Sequence, residues 1–360
     1  MDSWAPPEWA YSWDRAGLHT GSRLQPVTTV LVCLTITPEA VSAAKDAGAD
    51  MIISHHPLIW TPLTTLSVDT AHTRMCLELC SAGIACFSAH TNLDVAPDGV
   101  NAALAAKLNL TKTRTLFHEE HLRQVKLITF APEAHRIPIL NALAATGAGV
   151  IGEYTHCSFA SPGTGTFLPG KGTTPFSGQK GRVNEEPEIR LEILADKGQL
   201  ATVLEALFSA HPYEEPAYDI VPLTNVNKRV GLGVRGALEK RLRLKDFAAL
   251  VRKNLAVPQV KVYGKAAKFV QQVAVLGGSG AGHVARIPED IDVYVTGDVD
   301  YHAAEAAGMR GISCIDAGHS GTELPVVNVI ARRLRKEFAG VTVSIFKEKE
   351  ASFVVARNVP

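Results

Sequence analysis

A chain of 360 residues that is 46% hydrophobic is long enough for two or three domains with substantial cores. Lys plus Arg and Asp plus Glu both number 36, so no net charge advertises a nucleic-acid or acidic-membrane partner. No apolar run approaches membrane-spanning length, and MDSWAPPEWAYSWDRAG at the start lacks the basic and apolar regions of a secretory signal, so a soluble cytoplasmic protein is expected.

All four tryptophans (Trp4, Trp9, Trp13 and Trp60) fall in the first sixty residues, and packing in a core or an interface is expected of them. The segment AAKDAGADMIISHH (43–56) then reads as an Ala-rich helix tail, a capping Gly and a short strand that runs out into His55 and His56. Pro57 biases His56 away from helix, so the two imidazoles sit where the strand ends. LCSAGIACFSAH (79–90) repeats the theme and ends in His90, with AHTNLD carrying the chain on to Asp94. The six cysteines form no C-x-x-C pair, and most lie in apolar windows, as small core residues do in a reducing compartment.

The middle of the chain differs. Residues 124–223 hold QVKLITFA, HRIPILNALAATGA, the Gly/Pro-rich SPGTGTFLPGKGTTPFSGQKG, EIRLEILA, QLATVLEALFSA and HPYEEPAYDIVPL, an order close to βαββαβ. It is expected as a domain inserted into a discontinuous α/β core formed by residues 1–123 and 224–360. HPYEEP sets an imidazole beside carboxylates, but its prolines favour a structural role. GTFLPGKG (165–172) fails as a phosphate-binding loop, because Gly172 stands where Ser or Thr must hold magnesium.

Beyond the insert, GLGVRG (231–236) follows a poor strand and makes a weak dinucleotide motif. GGSGAG (277–282) follows the strand FVQQVAVL and is either a phosphate cradle or a simple tight turn. IDVYVTGDVDYH (291–302) reads as a strand ending in acidic residues and His302, and AAEAAGMRGISCIDAGH (303–319) repeats the helix, Gly, strand and histidine theme up to His319. In GHSGTE, His319 and Glu323 share a helix face by their spacing of four. Parallel strands of an α/β sheet present their carboxyl ends on one edge, so these histidines converge although distant in sequence.

His55, His56, Asp94, His319 and Glu323 then supply three imidazoles and two carboxylates, a set suited to two divalent cations sharing a carboxylate. Without thiolates, zinc, manganese or iron is favoured. The plainer reading is a solvated rim of polar loop residues. His302 and His90 are the expected proton carriers.

SHHP, HTNLD, HPYEEPAYD, GD-x-x-YH and DAGH-x-x-TE, in this order over nearly the whole chain, resemble the GTP cyclohydrolase 1 type 2 homologues, also called Ngg-one-interacting-factor-three-like proteins. The resemblance implies a dinuclear site with His56 and Asp94 on one ion, His55 and His319 on the other, and Glu323 bridging. It also implies a ferredoxin-like insert similar to the PII and CutA proteins, and a toroidal homohexamer. Thr35 in CLTIT (33–37) stands where the family more often has Asp, which weakens an outer role there, and His19 stands where Gln is commoner. Neither is expected to touch the five ligands. The expected function is metal-dependent hydrolysis of a nucleotide-like or other phosphate-bearing small molecule; the rival is a non-catalytic metal-dependent assembly or regulatory protein.

Overall fold

The computed structural model describes residues 1–225, 227–228 and 230–348. They fall into two compact units, one of residues up to Phe117 together with those from Gly231 onward, the other His118–Val230. In the first part of the chain, β1 (Gly17–Thr20), β2 (Thr29–Cys33), α1 (Pro38–Asp46), β3 (Met51–Ser54), α2 (Ala71–Ser81) and β4 (Ala85–Ser88) precede a single turn α3 (Thr91–Asp94), α4 (Val100–Lys107) and β5 (Thr111–Phe117). Thr37 and Thr70 cap α1 and α2 by accepting the Ala40 and Thr73 N–H groups, contacts worth about 1 kcal/mol each. Gly48 and Gly83 then turn the chain into β3 and β4 at φ 57° and 68°, where a Cβ would be strained.

The insert contains β6 (Gln124–Ala131), α5 (Arg136–Ala145), β7 (Ser158–Phe167), β8 (Asn184–Asp196), α6 (Leu200–Ala210) and β9 (Tyr218–Pro222). Its sheet runs β7-β8-β6-β9 with every neighbour antiparallel, the ferredoxin-like arrangement. Leu127, Ile139, Leu143, Leu191 and Leu207 form its core. The Gly/Pro-rich stretch is not all loop. Ser158–Phe167 pairs with β8 along its whole length, Pro162 opposite Ile189, because an edge strand bonds on one side only and so tolerates proline. In HPYEEP both ring nitrogens of His211 are engaged: Nε2–H donates to the Phe130 carbonyl at 3.0 Å and Nδ1 accepts the Tyr213 N–H at 3.1 Å. That histidine is a structural brace.

The last part supplies β10 (Leu232–Arg243), α7 (Leu244–Leu255), β11 (Lys261–Tyr263), β12 (Phe269–Val275), β13 (Val293–Thr296), α8 (Tyr301–Met309), β14 (Ser313–Asp316), the short α9 (His319–Glu323), α10 (Pro325–Glu337) and β15 (Thr342–Ile345). One sheet is ordered β1-β4-β3-β2-β15, parallel except for its edge strand β1. All of β4 and Ile52 to Ser54 of β3 are buried, as strands covered on both faces must be. The second sheet is ordered β11-β14-β13-β12-β10-β5, with β12, β13 and β14 parallel. Val273, Val293 and Ile315 on its strands and Phe247 on α7 are fully buried in one cluster, each worth about 1.5–3 kcal/mol of transfer free energy. The GLGVRG glycines lie within and beside β10, paired between β5 and β12, so this segment is strand and not a phosphate-binding turn.

Register positions the chemistry. Ser54 pairs with Ser88, so His55, His56 and His90 leave one sheet at the same edge. Thr296 pairs with Asp316, so Asp298 and His319 leave the other sheet together. Asn101 on α4 ties the two edges, donating to the Asp94 carbonyl and accepting from the Gly277 N–H, both at 2.9 Å.

The compact insert begins before Gln124 and ends after Leu223. His118 Nδ1–H donates to the Asn227 carbonyl at 3.1 Å, and the Asn227 amide donates to Asp196, which draws both connecting segments into the insert. Phe117 and Leu232 are register partners across β5 and β10, so the insert leaves and rejoins its host at adjacent points. Excising residues 118–230 with a short linker is therefore expected to leave a folded protein with unchanged metal content. A soluble, folded deletion protein that binds no metal would show that the insert contributes to the site.

Candidate metal centre

His55 and His56 sit where β3 gives out, and both of their N–H groups point to the Leu34 carbonyl, at 3.2 and 2.8 Å. His55 is completely buried, and its Nδ1–H donates to the Ala89 carbonyl at 2.8 Å. That bond places a proton on Nδ1 and turns Nε2 toward the carboxylates, as a histidine offered to a metal would be held. His56 Nδ1 lies 2.7 Å from Thr35 Oγ1, and the Glu348 carboxylate in turn accepts the Leu34 and Thr35 N–H groups at 2.7 and 2.6 Å. Thr35 thus does touch an expected ligand, contrary to the expectation from sequence, because a hydroxyl at this strand end reaches the ring. His19, the other departure, accepts the Ile59 N–H at 3.3 Å and braces the segment after Pro57.

Gly318, at φ 78°, turns the chain from β14 into α9, whose single turn aligns His319 with Glu323. Glu323 is 3% exposed and touches three imidazoles: Oε1 lies 3.3 Å from His319 Nε2 and 3.6 Å from His55 Nε2, and Oε2 lies 2.9 Å from His56 Nε2. Asp94 Oδ1 is 3.7 Å from His55 Nε2. The side chains of all five expected ligands therefore meet in one chain of contacts. Among the expected ligands, the contact recorded for Asp94 is with His55.

Two buried atoms here have no hydrogen-bond partner, His55 Nε2 and Asp94 Oδ1. Buried polar atoms left without a hydrogen-bond partner are costly in a protein interior, and a cation between these two would remove the cost. The residues present fit a metal, and imidazole with carboxylate suits zinc, manganese or iron. Among the described residues, His55, His56 and Glu323 are the group whose ligand atoms all lie within 4.8 Å of one another.

The electrostatics agree. Burial would raise the Glu323 carboxyl, but the three imidazoles of His319, His55 and His56 gathered around it hold it well below the usual carboxylate range. Burial opposes charge on His55, yet Glu323 and Asp94 outweigh it and carry its pKa up to about 9. His319 also rises to about 9, chiefly through its bond to Glu323, with Asp298 assisting against burial. His56 is lowered by burial and by its positive neighbours, and burial beside Glu323 raises Asp94 to about 6. Without metal, this cluster holds protons where ions would stand.

The chain has relatives. The Duf34/NIF3 (NGG1p interacting factor 3) family model matches residues 1–351. The chain belongs to the Duf34/NIF3 family. It is 38% identical over 321 residues to a Halalkalibacterium halodurans protein named GTP cyclohydrolase 1 type 2 homolog, covering 89% of this chain and 86% of that one. A Mycobacterium leprae protein of the same name is 35% identical over 355 residues, covering 96% and 90%. Among solved structures, a Bacillus cereus protein related to NIF3 matches with a TM-score of 0.82 at 36% identity, covering 98% of this chain and 96% of that one. A Staphylococcus aureus protein matches with a TM-score of 0.73 at 28% identity, covering 98% and 95%.

Other residues of this Duf34/NIF3 chain surround these candidate ligands. The His90 ring centroid lies 5.2 Å from that of His55, and its Nδ1 is 2.7 Å from Asp14 Oδ1. Asp14 also accepts from the Thr91 N–H and hydroxyl. Burial would raise it, but the His90 and Thr91 contacts win and hold it at about 2. His302 is placed differently from the expectation of a strand end. β13 stops at Thr296, Asp300 caps α8 by accepting the Ala303 N–H, and His302 stands exposed in the first helical turn, its described ring contact being with Tyr301. The acidic residue that reaches the centre from this segment is Asp298, at φ 56°, with Oδ2 2.7 Å from His319 Nδ1. Sequence reading passed over both Asp14 and Asp298 as orienting groups, although Asp298 lay in a segment noted for its acidic end.

In the GGSGAG turn three amides are already engaged. Gly277 N–H bonds Asn101, Gly278 N–H bonds Thr322, and Gly280 N–H bonds Thr296, so these donors are not offered to a phosphate. Its service to the centre is space. A Cβ on Gly278, at φ 70°, would overlap Glu323 Oε1 and lie 3.4 Å from His319 Nε2. Gly278→Ala is expected to lower bound metal at least tenfold, as displacement of a ligand does, with elemental analysis as the measure; full metal content would mean Glu323 is free to move aside.

Proposed function

We propose that the protein is a metal-dependent hydrolase acting on a nucleotide-like or other phosphate-bearing small molecule, with His55, His56, Asp94, His319 and Glu323 holding two divalent ions. The observation that carries this reading is the buried Glu323 touching three imidazoles beside the unpartnered His55 Nε2 and Asp94 Oδ1. Two ions held there would polarise a substrate oxygen and acidify water. The chain's own residues set that chemistry up: Ala89, Thr35 and Asp298 each engage the Nδ1 of a ligand imidazole and so aim its Nε2. The relatives' name supports a nucleotide substrate. The proposal includes a homohexamer, testable by sedimentation, and a reducing cytoplasmic location, in keeping with six free cysteines. No helix among the described residues is long and apolar enough to cross a membrane.

Of the two proton carriers, the geometry favours His90. An anionic Asp14 orients it one ring away from His55, whereas His302 is exposed on α8. His90→Ala is expected to keep its metal and lose turnover by roughly 100- to 10,000-fold, the worth of a positioned acid or base, with His302→Ala losing far less. The measurement is rate per metal-loaded site; the opposite ranking would hand the role to His302. The founding experiment is a panel of nucleotides and phosphate esters tested on zinc-, manganese- and iron-loaded protein beside Glu323→Ala. If no compound turns over, the assembly or regulatory reading leads.

A further inference from the structure

The tryptophans do not share one fate. Trp4 and Trp9 are each 6% exposed, as packing residues should be, but Trp13 is 54% and Trp60 49% exposed. Both lie beside the centre. Trp60 stands edge-on to His90, with ring centroids 5.7 Å apart and planes at 88°, and Trp13 meets Trp60 at 5.8 Å and 61°. Tyr11 stacks on Trp13 at 5.5 Å and 9°, backing one of its faces.

These rings are held in place. The Tyr11 N–H donates to Thr91 Oγ1 at 3.1 Å, and Asp14 accepts from Thr91 and engages His90, so the segment that carries Trp13 is fastened at both sides to the loop that carries Asp94. On the other side, the Ile59 N–H just before Trp60 is bonded to His19. Two large apolar rings, left in water yet fixed by polar contacts of the segments that carry them, one imidazole away from the candidate ligands, have lost side-chain freedom without gaining burial. A ligand that covers them recovers that burial.

We propose that Trp13 and Trp60 form a corner that stacks a planar heteroaromatic ring of the substrate while its reacting group lies at the metal centre. Two ring planes inclined at 61° let a flat ligand lie against one and present its edge to the other, the two favoured aromatic geometries. Base-on-aromatic stacking tolerates many ring systems, so the corner selects for flatness and not for one hydrogen-bonding pattern. This rests on the reading of the centre as a small-molecule site, and it is tested by binding alone so that absence of turnover does not decide it.

The probes are adenosine and guanosine 5′-monophosphate compared with ribose 5-phosphate, which lacks the base, titrated into metal-loaded protein by calorimetry. The expected result is that the nucleotides bind about tenfold or more tightly than the sugar phosphate. Trp60→Ala and Trp13→Ala should abolish most of that difference while metal content stays at the wild-type level, and Trp60→Phe should retain much of it. Equal affinity for nucleotides and ribose 5-phosphate in the wild-type protein overturns the proposal, as does discrimination that survives both alanine variants. If those variants change the oligomeric state by sedimentation and leave discrimination intact, the corner is a contact between copies of the chain and the proposal fails.

Discussion

The Glu323→Gln protein is expected to fold normally and to carry far less than one ion per chain. The substitution keeps the shape of a side chain on α9 that is 3% exposed, so the packing around it is preserved. What it removes is the charge that faces three imidazoles at 2.9, 3.3 and 3.6 Å. A neutral amide offers one acceptor oxygen where the centre needs two, and its NH₂ group turns donors toward coordinating nitrogens. Changes that only touch the partners of a ligand cost about 10- to 100-fold in metal affinity, and loss of a shared ligand should exceed that. Elemental analysis after dialysis gives the answer, with circular dichroism to verify the fold. Retention of two ions would remove Glu323 from the ligand set, and any hydrolytic activity should fall in step with metal content.

Acidification is expected to strip the centre steeply. In the metal-free protein His55 and His319 titrate near 9 and Asp94 near 6, whereas His56 is already lowered. Ligands must shed their protons to coordinate, so metal uptake should release about two protons per chain between pH 6 and 9 and about three below pH 6. Apparent affinity then falls by about a hundredfold per pH unit across the upper window. Stability of the metal-free protein runs the other way. The His55 and His319 values lie above the ordinary 6.5, so the stability they contribute is whole below pH 6.5 and is lost as pH rises through about 9. Heating curves should show the metal-free Tm declining over that range while the gain on adding metal grows. Calorimetry in two buffers of different ionisation enthalpy counts the protons, and a count near zero would mean that the titrating groups are not those that meet the ion.

The grouping of His55, His56 and Glu323 was legible because it follows from local rules: a histidine placed as a strand runs out, and two polar residues four apart on a helical turn. Repetition of the helix, Gly, strand and histidine pattern located the edges where these residues meet. The α/β class and the βαββαβ order of the insert were legible for the same reason. What escaped was contact between residues with no shared period. No spacing rule joins Asp14 to His90 or Thr35 to His56, since each pair is made by the packing of separate elements. His302 was misplaced by a cap: Asp300 starts a helix where the acidic run looked like the tail of a strand. The pairing of a glycine-rich edge strand was hidden by composition, and the exposure of Trp13 and Trp60 by the general habit of tryptophan.

The parallel sheet that presents His55 and His56 has as its outer strand β15, which lies beside β2 with Thr342 opposite Thr29. During synthesis β2, β3 and β4 emerge early, and the ribosome must then add more than two hundred residues before the strand that covers β2 appears, a delay of some ten seconds to a minute at about 5–20 residues per second. Over that interval the nascent chain displays an open apolar edge, and its first three candidate ligands wait without the carboxylate of Glu323. Completion of the centre is therefore a late event, open only to a polypeptide that is nearly finished.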